Sequence, residues 1–306
     1  MNILLLAGGW SSEREVSLQS AELITSAMIE YGHTVTCLDP LYDFDKIVEV
    51  AEKQDVAFIL LHGSPGEDGV LQALLERVGC PYQGSSPAGS ILALHKAAAK
   101  ALFRREGLLT PKSVFLPLKP EATWEPSLTY PIFVKSNVGG SSVNVHLVTN
   151  YEELFIAMEA LFASGEEVLL EEAIIGQEVT CGVIDDQALP PILIRSQGKF
   201  FDYYNKYAKN GAEEICPAPL NPHVLKHIQE CALRAHNILN LKGCSRADFI
   251  LRDDELLFIL EVNTIPGMSA TSLVPREAAA MGLTFPELVE KLIQLAIRDH
   301  RKQKSE

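Results

Sequence analysis

The sequence has no long hydrophobic run, since nothing in it approaches the ~18 consecutive apolar residues that a membrane-spanning helix needs. Its start, "MNILLLAGGWSSERE", has no basic segment and only a short apolar stretch, unlike a secretory leader. We therefore expect neither a transmembrane helix nor a signal peptide, and we expect a cytoplasmic location.

Cysteine and positive charge are both scarce. The 6 cysteines are widely spaced with no C-x-x-C pair, which favours reduced thiols over disulfides or a zinc site. Lys plus Arg number 26 against 40 Asp plus Glu, giving a formal charge of −14. Such a chain is a poor general binder of nucleic acid or of anionic membranes, although a local basic pocket is still allowed.

Two common nucleotide-binding fingerprints are also missing. The stretch "GGWSSE" lacks the later glycines of G-x-G-x-x-G, which weakens a dehydrogenase interpretation. The stretch "KSNVGGSSVN" at 135–144 is rich in glycine and serine, but its lysine precedes the glycines, whereas G-x-x-x-x-G-K-[ST] places it after them. These residues alone allow either a different phosphate loop or an ordinary hairpin turn.

The first third of the sequence alternates strands and helices. Apolar runs at 2–7, 34–38 and 56–61 predict strands, with helices between them, which indicates a parallel sheet. Gly8-Gly9 and His62-Gly63 follow strands, where such sheets bind ligands. Ser12 and Glu15 form a capping-box pattern that predicts a helix start, and 89–106 reads as one helix.

The later sequence changes character. Residues 112–194 suggest a small α+β unit with an antiparallel sheet, and the last third adds strands and two long helices. We predict three domains: an N-terminal Rossmann-like domain (1–95), a central domain (96–185) and a C-terminal α+β domain (186–306).

The segment "SRADFILRDDELLFILEVN" predicts a hairpin that carries a metal site. Pairing its two strands brings Asp248 close to Glu261 and Asn263, which are the oxygen donors that Mg²⁺ prefers. Glu261 follows the apolar run "LLFIL", where an unpaired carboxylate would be costly. Arg246 shares a face with Asp248 and is suited to clamp a phosphate.

The turn that follows, "TIPGMSATSLVP", contains Gly267 and Ser272, and its backbone N–H groups are candidates to receive a carboxylate or an oxyanion. Taken alone, this turn is equally well explained as an ordinary loop.

Several long motifs resemble the D-alanine–D-alanine ligase family of the ATP-grasp superfamily. They are "GGWSSEREVSL", "LHGSPGEDGVLQALLERVGCPYQGS", "RADFIL" and "LEVNTIPGMSATSLVP", and the resemblance runs in order over nearly the whole chain. It implies an ATP-grasp fold, α/β in the N-terminal domain and α+β in the other two.

The resemblance also implies a reaction. ATP phosphorylates the carboxylate of one D-alanine, and the amine of a second D-alanine attacks the acyl phosphate, releasing ADP and phosphate. The dipeptide serves peptidoglycan precursor synthesis. Two Mg²⁺ ions, with Mn²⁺ as a possible substitute, neutralise the charge, and a homodimer is implied.

Residue roles follow from the same resemblance. The first D-alanine would meet Glu13 and His62, and the second would meet Ser272 and Leu273. Arg246 and the Gly267 backbone would stabilise the tetrahedral intermediate, while Asp248, Glu261 and Asn263 would hold the metal. Lys206 and Tyr207 would close over the site, with Tyr207 bonded to Glu13 and Ser141. The residues implied for ATP are Lys96, Lys135, Gly140, Ser142, Glu171, Ile174 and Glu178.

The sequence departs from the family pattern at five positions, which are Ser136, Asn144, Glu172, Ala173 and His95. Glu172-Ala173 adds charge and removes an aromatic ring from the adenine hinge, so ATP affinity is in question. Two alternatives follow: a related ligase for other amino acids, and a nucleotide-binding regulatory homologue without turnover. Lys206-Tyr207 favours an amine, and so D-alanine over D-lactate, as the second substrate.

Overall fold

The computed structural model describes residues 1–121, 123–139, 145–196 and 212–303. Its first unit is a parallel sheet of four strands in the order β2-β1-β3-β4. The strands are β1 (Asn2–Ala7), β2 (Thr34–Leu38), β3 (Val56–Leu60) and β4 (Tyr82–Gln83). The parallel sheet is confirmed, and β3 is buried along its whole length, as expected for a strand covered on both faces.

Helices connect these strands. They are α1 (Arg14–Glu30), α2 (Pro40–Asp43), the 3₁₀ turn η1 (Phe44–Lys46), α3 (Ile47–Ala51) and α4 (Val70–Val78). The prediction that Ser12 caps the first helix is wrong, because α1 begins at Arg14 with Glu13 at the N-cap position. The hydroxyl of Ser11 accepts the N–H of Glu13 (3.3 Å), and this turn delays the helix start.

The predicted single helix at 89–106 is in fact two helices, α5 (Pro87–Leu94) and α6 (Lys96–Arg105). The break is at His95, where ψ is 88°, and the Nδ1 atom of His95 accepts the N–H of Ala98 (3.2 Å) as an N-cap. Asn137 satisfies two more N–H groups, those of Lys96 (3.0 Å, through its carbonyl) and Ala97 (2.9 Å, through Oδ1). Contacts distant in sequence therefore start α6.

The central sheet is antiparallel, in the order β5-β8-β6-β7. It consists of β5 (Ser113–Leu116), β6 (Ile132–Ser136), β7 (His146–Val148) and β8 (Val168–Glu172). Helix α7 (Tyr151–Ala163) packs on it through Leu154 and Leu161, which lie in a core with Ile132 and Val134.

The third sheet is antiparallel and follows the order β12-β11-β9-β13-β14, with β10 paired to β9. Its strands are β9 (Gln177–Ile184), β10 (Gln187–Ala188), β11 (Ile192–Ser196), β12 (Ala212–Ile215), β13 (Cys244–Leu251) and β14 (Leu257–Asn263). The domain boundary at 185 remains a proposal, although β9 before it hydrogen-bonds to β13 after it.

Helices cover both faces of this sheet. One face packs in a core with α8 (Pro222–Ile238), α5 and α6. The other shares a core with α9 (Leu273–Ala280), α10 (Phe285–Gln303) and the N-terminal sheet. None of the helices in the described ranges is both long and apolar enough to span a bilayer.

Candidate active site

The predicted hairpin of β13 and β14 is confirmed. Asp248 lies opposite Glu261 and Arg246 lies opposite Asn263, so the pairing brings the four side chains to one end of the sheet. The register shifts after Asp248, a β-bulge of the kind that re-aims side chains beside functional sites.

Asp248 is 8% exposed and is surrounded by hydrogen-bond donors. Arg246 binds it through Nε and Nη2 (2.8 Å each), Thr180 donates to Oδ1 (2.6 Å) and Asn263 donates to Oδ2 (3.1 Å). Burial by itself lowers the pKa of Arg246, but the charge and hydrogen bonds of Asp248 reverse this, so the pKa is raised. Arg246 is therefore a permanent cation held in place by the carboxylate beside it.

Glu261 connects the hairpin to α6. Its Oε2 lies 3.3 Å from the Nζ of Lys96, whose side chain is 8% exposed. The same ammonium donates to the carbonyl oxygen of Gly139, the first glycine of the segment 135–144. Lys96 thus links a predicted metal ligand to a predicted phosphate loop.

The donor set of this end of the sheet fits a hard cation. The predicted ligands are two carboxylates, Asp248 and Glu261, and one amide, Asn263. The described ranges contain no group of three or more His, Cys, Asp or Glu side chains placed to hold a metal. Mg²⁺ commonly takes one or two protein carboxylates together with water and substrate phosphates. A magnesium site shared with a nucleotide therefore matches these residues.

The predicted nucleotide residues Lys135 and Glu171 are in direct contact. Glu171 is 2% exposed, and its Oε2 lies 2.6 Å from the Nζ of Lys135. Its Oε1 lies 2.7 Å from the Nζ of Lys100, a fully buried lysine that the sequence reasoning missed. Burial tends to raise the pKa of Glu171, but the two ammonium groups lower it overall. Burial lowers the pKa of Lys100 to about 8 despite its carboxylate partner.

Two departures from the family pattern have local partners. Ser136 donates to Oε2 of Glu166 (2.7 Å), and Glu172 accepts the backbone N–H of Lys112 (2.9 Å). The added carboxylate at the hinge is thus engaged by the protein backbone. Ile174 is half-buried just after β8, and Glu178 is half-buried in β9. Their predicted contacts with adenine and ribose remain predictions.

The N-terminal residues meet at the ends of β1 and β3. His62 follows β3 and is 9% exposed, and Glu13 is half-buried at the start of α1. Glu67, which the sequence reasoning did not single out, accepts the N–H of Gly63 (2.8 Å) and the N–H of Ile265 (3.4 Å). Burial raises the pKa of Glu67, with His62 opposing and Glu13 adding to the shift. In the sequence, Glu67 is marked only by its place in the stretch "GEDG" of the second motif that resembles the family.

The turn after β14 has a compact structure. Ser272 Oγ accepts the N–H of Ser269 (2.9 Å) and lies 2.8 Å from the Ser269 hydroxyl. A Cβ at Gly267 would lie 3.0 Å from Ser272 Oγ, so glycine allows this close approach. Leu273 begins α9. The turn therefore places a hydroxyl and a helix start beside the hairpin.

Five predicted site residues lie outside the described residues: Gly140, Ser141, Ser142, Lys206 and Tyr207. Asn144, one of the departures, does as well.

A parallel sheet accompanies two antiparallel sheets, and buried lysines contact Glu171 of one antiparallel sheet and Glu261 of the other. This arrangement fits the ATP-grasp class of ligases. Two family models match the sequence: the D-ala D-ala ligase N-terminus over residues 42–85 and the D-ala D-ala ligase C-terminus over residues 108–294. The chain belongs to the D-alanine–D-alanine ligase family.

Individual relatives support the same family assignment. A D-alanine–D-alanine ligase from Lawsonia intracellularis is 95% identical over 302 residues, covering 99% of this chain and 100% of the relative. One from Nitratidesulfovibrio vulgaris is 58% identical, covering 97% and 98% of the two chains. Among solved structures, the Bacillus anthracis D-alanine–D-alanine ligase complexed with ATP has a TM-score of 0.88 at 30% identity, covering 99% of each chain. A D-Ala:D-Ser ligase from Enterococcus faecalis has a TM-score of 0.84 at 29% identity, covering 97% and 99%.

Proposed function

We propose that this enzyme joins two D-alanine molecules to D-alanyl-D-alanine and converts ATP to ADP and phosphate, the phosphate carrying away the oxygen lost by the first carboxylate. The observation that carries the proposal is the convergence of Arg246, Asp248 and Glu261 with Lys96, in a chain 95% identical to a curated D-alanine–D-alanine ligase. The product is a peptidoglycan precursor, and the cytoplasm is the proposed location.

The chemistry requires activation of a carboxylate, since its oxygen is a poor leaving group until it carries phosphate. Lys96 and Lys135 supply positive charge for the transferred phosphoryl group, and charge neutralisation together with positioning provides most of the catalysis in such reactions. Asp248, Glu261 and Asn263 would hold two Mg²⁺ ions, or Mn²⁺ in their place. The metal would supply positive charge against the phosphates of ATP.

The acceptor step uses the hairpin and the turn. Arg246 is held by Asp248 through two hydrogen bonds, which supports a role in which its remaining N–H donors stabilise a developing oxyanion. The N–H groups around Gly267 serve the same anion. Ser272 and Leu273 receive the carboxylate of the second D-alanine, while Glu13 and His62 hold the first. Lys206, Tyr207 and Ser141 are proposed to exclude water from the acyl phosphate.

Coupled ADP release with D-alanine, L-alanine, D-serine and D-lactate tests this function. The expected result is D-alanine-dependent ADP release with dipeptide as the product. ATP binding without D-alanine-dependent turnover would support the regulatory alternative, and a preference for L-alanine would support a ligase for other amino acids.

D-serine is a specific competitor of D-alanine for the role of second substrate. The similarity to a D-Ala:D-Ser ligase keeps D-serine as a candidate acceptor. We propose D-alanine in preference to D-serine and to D-lactate, and mass spectrometry of products from equal mixtures decides among them. A homodimer is proposed from the family resemblance, and light scattering of the purified protein tests it.

A further inference from the structure

Lys100 is a fully buried cation that none of the roles above uses. Its side chain is 0% exposed, and its ammonium contacts Glu171 Oε1 (2.7 Å) and Thr110 Oγ1 (2.9 Å). The opposite oxygen of Glu171 contacts Lys135 (2.6 Å). The three side chains Lys100, Glu171 and Lys135, called here the buried triad, form one continuous chain of ion pairs.

The charge of the buried triad is not balanced. Two ammonium groups share one carboxylate, which leaves one net positive charge beneath the proposed nucleotide site. A buried charge without compensation is costly, so a site of this kind is expected to serve an anionic ligand or be relieved by proton loss. Lys135, 12% exposed, is the member of the buried triad from which that charge can reach a ligand.

The pairing of Glu171 with Lys135 would change if Lys100 were absent. An ammonium has three donors, and a carboxylate accepts on both oxygens. With Lys100 paired to Oε1, Glu171 needs only one donor of Lys135, and the other donors of Lys135 have no partner among the described residues. Without Lys100 the carboxylate would draw Lys135 into a neutral pair, and that pair would compete with a nucleotide for the same ammonium.

Lys100 also connects this pair to the metal end of the site. It lies four residues after Lys96, so both side chains emerge from the same face of α6. Lys96 contacts Glu261 of β14, and Lys100 contacts Glu171 of β8. One helix face therefore sets the spacing between the predicted metal ligand and the predicted nucleotide carboxylate.

We propose that Lys100 is a positioning residue for ATP, which fixes the Glu171 carboxylate and keeps the Lys135 ammonium available to the nucleotide. The inference rests on the proposed function only in taking ATP as the ligand. Lys100 itself need not touch ATP.

The test measures nucleotide binding directly, in the absence of D-alanine. Binding of the non-hydrolysable ATP analogue AMP-PNP with Mg²⁺ is measured by calorimetry for the wild type, Lys100→Met and Lys100→Arg. Arg105→Met is the matched control, because it removes one positive charge from the same helix at a side chain that is 78% exposed. Lys100→Met should still fold, since Glu171 keeps Lys135 as its partner, and circular dichroism checks this.

We expect Lys100→Met to weaken analogue binding about tenfold or more, with Lys100→Arg restoring it to within a few-fold and Arg105→Met unchanged. In steady-state kinetics Lys100→Met should raise KM for ATP while KM for D-alanine changes less than about twofold. A structural ion pair alone would lower the melting temperature and leave the dissociation constant unchanged, and that result overturns the proposal.

A pH profile gives a readout independent of stability. The charged groups around Lys100 are Glu171 of β8, Lys135 of β6, Glu261 of β14 and, on its own helix, Lys96. Since burial lowers the pKa of Lys100 to about 8, analogue binding by the wild type should weaken between pH 7 and 9. Lys100→Arg should remove that dependence because arginine stays charged. Identical profiles for the two proteins would count against the proposal.

Failure of this inference and failure of the proposed function are distinguishable. A wild type that binds the analogue but shows no D-alanine-dependent ADP release would contradict the ligase activity without affecting the role of Lys100. An active wild type whose Lys100→Met variant binds the analogue equally well would contradict the role of Lys100 alone.

Discussion

Replacing Asp248 by Asn should cost both activity and stability, whereas replacing Glu261 by Gln should cost activity with little loss of stability. Asp248 is 8% exposed and accepts two hydrogen bonds from Arg246, one from Thr180 and one from Asn263. An asparagine there would turn an NH₂ group toward a donor and leave the Arg246 charge buried without its partner. The side chain of Glu261 is more exposed, at 24% against 12% for Asp248, and its Oε2 lies 3.3 Å from the Nζ of Lys96.

The magnitudes follow from burial. Breaking a buried pair by removing one partner costs about 3–5 kcal/mol. Glu261→Gln keeps an acceptor oxygen for the Lys96 ammonium, so its cost should be about 1 kcal/mol. At roughly 2 °C per kcal/mol for a chain of this size, Asp248→Asn should lower the melting temperature by about 6–10 °C and Glu261→Gln by about 2 °C or less. Both variants should lose dipeptide synthesis, because each removes a proposed metal-binding carboxylate.

The chain contains a matched control for the stability effect. Arg252 and Asp254 form the same two-residue pair, with Nε–Oδ1 at 2.8 Å and Nη2–Oδ2 at 2.6 Å, but both side chains are largely exposed. Asp254→Asn should therefore keep the wild-type melting temperature and activity. Differential scanning calorimetry and ADP release measure the two properties. An Asp248→Asn variant as stable as Asp254→Asn would refute the stability argument, and an active one would remove Asp248 from the metal site.

Three further outcomes are expected. His95→Ala should destabilise the enzyme by about 1 kcal/mol through loss of the α6 cap while His95→Asp should not, as urea unfolding would show; equal stabilities would contradict the cap. Glu277 lies fully buried in α9 and accepts the N–H of Gly182 (2.9 Å). Burial raises its pKa to about 8, so the unfolded chain, with its lower carboxyl pKa, releases this proton first. Stability should therefore fall as pH rises from about 4.5 to about 8, and Glu277→Gln should flatten that fall; an unchanged slope would refute it. Ser272→Ala should raise KM for the second D-alanine with little effect on KM for ATP, and the reverse pattern would contradict its assignment.

Much of the fold is accessible from sequence because it rests on local apolar runs. The buried runs of β1 and β3 predict a parallel sheet, and the apolar strand before Glu261 predicts the hairpin that places it opposite Asp248. In each case the pattern and the burial have the same physical origin, the removal of apolar side chains from water.

The features that sequence reasoning missed depend on partners far along the chain. Helix propensity through 89–106 is continuous, and it is Asn137, about 40 residues later, that helps to end α5 and begin α6. Lys100 reads as a surface lysine until the fold places Glu171 against it. Glu67 looks like a turn residue, although it accepts an N–H from Ile265, 198 residues later. None of these pairings leaves a periodic signal.

The most direct test of the central claim is D-alanine-dependent ADP release by the purified wild type, with the product identified by mass spectrometry. The proposed function predicts one D-alanyl-D-alanine formed for each ADP released and little release with L-alanine or D-lactate. ADP release that does not depend on D-alanine, or a product other than this dipeptide, would contradict it.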